Sequence, residues 1–152
     1  MSKTDGPGPE LSRRLGYLFK HAQLRMAELT AAALAPYVID GRELGVLLVL
    51  ADGQPASQQQ AAQRLAIDRT TMVAMLDTLE GKGLVSRHPD ADDRRRNVVE
   101  LTDAGRDILQ RAVKASDDAE RALLAPLSPQ AARQLRDSLQ AIVTDPDSRT
   151  AV

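Results

Sequence analysis

Three helix-start signals divide the middle of this chain and leave its fold little freedom. Asp40 stands three residues before Glu43, with Ile39 and Leu44 spaced to staple across the start. Ser57 stands three residues before Gln60, and Asp68 opens a third segment with Ile67 and Met72 as its staple pair. The first helix runs to about Ala51, where Asp52-Gly53-Gln54-Pro55 breaks it. The second is short, Gln58 to Arg64. The third continues through Leu76 and Leu79 and stops near Gly81 and Gly83.

Beyond Gly83 the pattern changes in kind. Leu84 to His88 and Asn97 to Leu101 are short, partly β-branched segments separated by the charged run Pro89-Asp90-Ala91-Asp92-Asp93-Arg94-Arg95-Arg96. The alternation predicts a hairpin with a long charged tip. Thr102 then caps a helix carrying Ile108, Leu109, Ala112, Ala115, Ala119 and Leu123, and Ser128-Pro129 starts a last one with Ala132, Leu135, Leu139 and Ile142. At the other end, Leu11, Leu15, Leu18, Ala22, Met26, Leu29 and Ala33 recur at steps of three and four, one helical face that Pro36 stops.

These elements predict a mainly α chain with a small β-hairpin: a winged helix-turn-helix with a helical dimerisation region. Residues 1–10 read as a flexible arm, 11–37 as a dimerisation helix, 38–101 as the DNA-binding region, 102–145 as C-terminal dimerisation helices and 146–152 as a frayed tail. No apolar run approaches the about 18 residues that cross a bilayer; the longest is Val46 to Ala51. No membrane partner is expected, and the cytoplasm is the expected location. Without cysteine the chain has no disulfide, thiolate metal site or thiol nucleophile, and with only His21 and His88 as imidazoles no metal site is expected. No nucleophile elbow, Gly-rich phosphate loop or cofactor motif is present, so neither an enzyme nor a cofactor is expected.

With 20 Lys+Arg against 21 Asp+Glu the chain is no polycation, so any nucleic-acid surface has to be local. Between Gln54 and Leu101 seven basic residues balance seven acidic ones, and only their arrangement makes the hairpin tip cationic. A helix fits the major groove, and the residues of its first turn are the ones that reach base edges. Arg69, Thr70 and Thr71 are then the first readers, with Ser57 and Gln58 at the start of the preceding helix. Alone, Arg69 to Thr71 read more readily as the solvated first turn of an ordinary helix; the hairpin after them reverses that preference in favour of DNA.

The runs Leu65-Ala66-Ile67-Asp68-Arg69-Thr70-Thr71-Met72-Val73, Leu79-Glu80-Gly81-Lys82-Gly83-Leu84-Val85-Ser86-Arg87, Pro89-Asp90-Ala91-Asp92-Asp93-Arg94-Arg95 and Leu101-Thr102-Asp103-Ala104-Gly105 resemble the MarR family of transcriptional regulators. The resemblance implies that Asp93 and Arg95 are a pair in which the carboxylate orients a guanidinium for the minor groove, whose negative potential draws it. As a bare pattern the two are also a surface salt bridge worth under about 1 kcal/mol. Val73 and Ala74 depart from the family, which often carries a polar residue and an Arg there. Arg94 and Arg96 flank Arg95, and Arg96 stands where a small residue is common.

The amphipathic ends exceed what a lone DNA-binding module needs, and a second copy is the simplest partner for their apolar stripes. A twofold dimer places two recognition helices about 34 Å apart and implies a palindromic operator on double-stranded DNA. On the first helix, Arg14, His21 and Arg25 lie within about 40° of one another, with Tyr17 close by. The stripe has two readings. One is dimer-boundary salt bridges; the other is an anion site, and in the resembled family small aromatic carboxylates and phenols bind between this helix region and the winged domain. The function expected is therefore a transcriptional repressor released from its operator by a small aromatic ligand. The competing reading is a winged-helix interaction module that binds protein and no DNA.

Overall fold

A computed structural model describes residues 6–52 and 56–147. Its helices are α1 (Pro9–Ser12), α2 (Leu15–Leu34), α3 (Gly41–Ala51), α4 (Gln58–Leu65), α5 (Arg69–Gly81), α6 (Asp103–Leu124) and α7 (Pro129–Thr144), with a 3-10 turn at Ala35–Tyr37. The strands are β1 (Ala56–Ser57), β2 (Val85–Pro89) and β3 (Asn97–Leu101).

The caps form as the spacing requires. Glu43 N–H donates to Asp40 Oδ1 at 2.8 Å and Asp40 N–H donates to Glu43 Oε2 at 2.9 Å, closing a reciprocal box at the start of α3. Ser57 and Gln60 make the same exchange at α4, and Ser128 Oγ accepts from Ala131 N–H at α7. The α4–α5 turn is held by Ala66 in the left-handed region, φ 52°, with Ile67 N–H bonded to Ala62 C=O at 3.1 Å.

Core residues come from every element of the middle segment. Val46 and Leu47 of α3, Met72, Leu76 and Leu79 of α5, and Val99 of β3 are sealed from solvent together with Leu34 of α2. Leu109 and Ala112 of α6 close the same cluster, so α6 is anchored to the winged unit at its start and lies along α2 beyond it.

Two expectations about the backbone change. The first helix is not continuous: Arg14 is extended (φ −73°, ψ 134°), which separates α1 from α2 and makes Pro9 and Glu10 helical where an arm was expected. Helices are held mainly by tertiary packing, and Leu11 and Leu15, half or more exposed, provide little of it at the break. Secondly, the hairpin is a three-stranded antiparallel sheet, ordered β1-β3-β2, in which Ala56 and Ser57 pair with Val99 and Val98. A two-residue strand carries no periodicity to detect. Gly53 to Pro55 of the expected break, residues 1–5 of the arm and 148–152 of the tail lie outside the described residues. Among the described residues no helix is long and apolar enough to cross a membrane.

Candidate nucleic-acid interface

The first turn of α5 is built on Asp68. Its Oδ1 accepts the Thr71 N–H at 2.8 Å and its Oδ2 accepts the Thr71 hydroxyl at 2.6 Å. Those two bonds, the hydroxyl's foremost, hold the Asp68 carboxyl below its usual pKa. The Thr71 proton is thereby committed to the cap, leaving its methyl and oxygen lone pairs for a partner. Arg69 and Thr70 are exposed, and neither side chain is bonded to any described residue. A helix start that presents a guanidinium and a hydroxyl, both unspent, is equipped to read base edges.

At the neighbouring helix start, Ser57 differs from expectation. It is 9% exposed, pairs with β3, and its Oγ accepts the Gln60 N–H at 3.2 Å, so its oxygen serves the fold. Gln58 is half-buried with its Oε1 3.4 Å from Arg87 Nη1.

The wing tip is a closed turn. Asp90 N–H donates to Arg96 C=O and Arg96 N–H to Asp93 C=O, each at 2.9 Å, while Asp90 Oδ1 accepts from Asp92 N–H at 3.0 Å. Asp93 Oδ1 accepts the backbone N–H of Arg95 at 3.0 Å. This corrects the expectation that the carboxylate holds the guanidinium: Asp93 closes an Asx turn, the local bond a short acidic side chain makes most readily. The side chains of Arg94, Arg95 and Arg96 are exposed and form no ion pair with any described residue.

Behind this surface lie supporting residues. Lys82, at the end of α5, sends its Nζ 2.7 Å to Glu43 Oε1 and 2.7 Å to Val38 C=O, tying the recognition helix to the α3 cap. Thr102 accepts the Gly105 N–H and donates its hydroxyl to Gly83 C=O at 2.6 Å, while Gly105 packs against the Leu84 carbonyl where a Cβ would stand 2.0 Å from the oxygen. The Leu-Thr-x-x-Gly motif is thus a staple between the wing base and α6. Arg87 of β2 reaches Asp77 and Glu80 of α5. The even charge balance of the segment is therefore partitioned: Asp77 and Glu80 are matched by Arg87 at one end, while Arg69 and the tip arginines carry no ion pair with a described residue.

On α2, the ring centroids of Tyr17 and His21 lie 4.1 Å apart with the planes tilted by 37°, but Arg25 turns to Glu28 at 3.3 Å and Arg14 sits outside the helix at its N-cap. Among the described residues, no hydrogen bond or ion pair joins Arg14 or Arg25 to the Tyr17–His21 pair. Further along, a groove of about 440 Å³ lies between α2 and the start of α3, with Met26, Ala27 and Ala31 as apolar wall and Gln23, Thr30, Asp40 and Arg42 as polar rim.

A family model described as "MarR family" matches residues 39–96, from the α3 cap to the wing tip. The HTH-type transcriptional regulator PecS of Dickeya dadantii is 34% identical over 103 residues, covering 66% of this chain and 62% of its own length. The chain spans about three fifths of the length of the curated relatives it matches. Among solved structures, the transcriptional repressor CouR bound to a 23-mer DNA duplex is 38% identical with a TM-score of 0.81, over 92% of this chain and 96% of that one. CouR bound to p-coumaroyl-CoA is 35% identical, also with a TM-score of 0.81, over 93% of this chain and 99% of that one. The two capped helices, the wing and its Leu-Thr-x-x-Gly staple therefore stand in a chain that belongs to the MarR family.

Proposed function

We propose that the protein is a cytoplasmic, sequence-specific transcriptional repressor that binds a palindromic operator as a homodimer and is released by a small aromatic acid or phenol. The observation that carries this is the unspent cationic surface: Arg69 and Thr70 on the first turn of α5 and Arg94, Arg95 and Arg96 on the wing, all on one packed frame. Arg69 would take a guanine edge bidentately, Thr70 and Thr71 a phosphate or a thymine methyl, and Gln58 a phosphate. The wing arginines would enter the flanking minor groove. Asp93 would serve them indirectly, by shaping the turn they stand on. CouR, seen on a DNA duplex, supports the same use of the same fold.

The dimer rests on apolar surface. Leu11, Leu15, Leu18 and Phe19 at one end and Leu135, Leu139, Ile142 and Val143 at the other are exposed on a single protomer, more than a lone soluble chain leaves in contiguous faces. A second copy covering both would bury them symmetrically.

For the ligand, the α2–α3 groove offers what the Arg14, Tyr17, His21 and Arg25 stripe lacks in one protomer: an apolar wall beside a guanidinium, Arg42, able to fork onto a carboxylate. Ligands for the stripe itself need the partner copy to complete a cleft. The p-coumaroyl-CoA complex of CouR, a phenolic acyl group on a carrier, supports an aromatic effector. A ligand releases DNA only by preferring the lobe spacing that does not fit two successive grooves.

Sequencing the DNA that purified protein selects from a genomic fragment pool tests the proposal. A palindrome with half-sites about one turn apart is the expected result. No enriched sequence at all would contradict it. Calorimetric titration of benzoates and phenols into the parent, Arg42→Ala and Arg14→Ala then assigns the effector site to the groove or to the stripe.

A further inference from the structure

We infer that Arg87 is a positioning residue for DNA binding, fixing the angle at which the wing meets the recognition helix. The inference rests on the reading of the protein as a DNA binder and adds a residue that touches no DNA. Arg87 is the third residue of β2, on the strand that leads to the charged tip, and its side chain is 19% exposed. Its guanidinium makes four hydrogen bonds. Nη2 lies 2.5 Å from Asp77 Oδ1 and 3.0 Å from Glu80 Oε1, Nε lies 3.3 Å from Glu80 Oε2, and Nη1 lies 3.4 Å from Gln58 Oε1.

Those partners come from two other elements. Asp77 and Glu80 are three apart on α5, so they share a face, and Gln58 opens α4. One planar fork therefore joins wing, recognition helix and preceding helix, a task that the point charge of a lysine cannot perform. The Glu80 carboxyl is held below its usual pKa chiefly by this bond.

The covalent link beside it is a glycine turn. Between α5 and β2 the chain passes through Gly83 at φ 73°, and nothing lies within 4 Å of where its Cβ would be. The strand's base is fixed by Thr102 bonding back to Gly83 and Leu84. Arg87 is further out, nearer the tip, and sets the direction in which Arg94, Arg95 and Arg96 project. A wing held at one angle docks its arginines with no further ordering cost once α5 is in the groove. A wing free to swing bears that cost on every encounter, and its arginines contribute correspondingly less.

The test places Arg95→Ala and Arg69→Ala separately into the parent and into Arg87→Met, and measures affinity for the selected operator by fluorescence anisotropy at one salt concentration. In the parent each substitution should weaken binding about tenfold. In Arg87→Met the Arg95→Ala step should shrink to less than about twofold, while the Arg69→Ala step stays about tenfold, because only the wing has lost its aim. Equal Arg95→Ala factors in the two backgrounds would overturn the inference, as would equal shrinkage of both steps. If Arg87→Met fails to yield a folded dimer, the pair Asp77→Ala with Glu80→Ala removes the same clamp from its exposed side and carries the same expectation. A parent protein that cannot distinguish operator from scrambled duplex would sink the DNA-binding reading itself, a result that none of these ratios can mimic.

Discussion

The carboxylate of Asp93 holds the backbone N–H of Arg95 at 3.0 Å and leaves the Arg95 guanidinium free. The spacing of these two residues is thus a device for shaping the wing turn. An amide oxygen can accept the same bond, so Asp93→Asn should bind operator at least as tightly as the parent. Asp93→Ala, which leaves the turn unsupported, should bind several-fold more weakly. Anisotropy titrations of both decide it: a carboxylate whose role is to orient the guanidinium would make Asn as poor as Ala.

Gly105 has no room for a side chain. A Cβ there meets the Leu84 carbonyl oxygen at 2.0 Å and its carbon at 3.0 Å, backbone that is itself bonded to Thr102. Gly105→Ala should therefore cost about 3 kcal/mol or more, by forcing the wing base and α6 apart. Gly16→Ala, with nothing within 4 Å, is the matched control and should leave the melting temperature close to that of the parent. Thermal melts of the two variants provide the comparison.

Lys82 is the only described cation on the buried Glu43 carboxylate, which is 9% exposed. Lys82→Met strands that charge, with the Asp40 N–H as its remaining donor. A destabilisation of about 2 kcal/mol is expected, and Glu43→Gln introduced beside it should recover part of the loss by removing the stranded charge. Urea unfolding midpoints of the single and double variants check both statements.

The Asp68 carboxyl titrates below its ordinary value of 3.8 because the charged form accepts both Thr71 bonds. A depressed carboxyl adds stability that is complete above that ordinary value and is lost as pH falls through the lower folded value. Fraying of the α5 start should therefore begin below about pH 4, and Asp68→Asn should remove that step from the acid limb. Amide exchange at Thr71 followed against pH is the readout.

Much of this fold was legible in the chain. Asp40, Ser57, Asp68, Thr102 and Ser128 announced their helices because a cap is a local bond between near neighbours, and local bonds leave their spacing in the sequence. The break at Arg14 was not legible, since arginines suit a helix and only missing contacts decide the point. Nor was the clamp on Arg87: its partners Gln58, Asp77 and Glu80 lie between seven and 29 positions away, a separation that no periodicity encodes. Spacing alone also does not say which partner a local polar side chain takes: the Ser57 oxygen belongs to the cap, and the Asp93 carboxylate bonds the backbone N–H of Arg95 and not its guanidinium.

A surface that reads sequence must separate one duplex from another, and a cationic one must lose affinity to salt. Both properties come from a single experiment: anisotropy titration of the selected operator and of a scrambled duplex of equal length, repeated over a series of salt concentrations. The operator should bind about a thousandfold or more tighter than the scrambled duplex at physiological salt. Affinity for both should fall as salt rises, with the slope reduced by about one for each of Arg94 and Arg96 replaced by alanine. Equal affinity for the two duplexes, or binding that ignores salt, would mean that α5 and the wing do not read DNA.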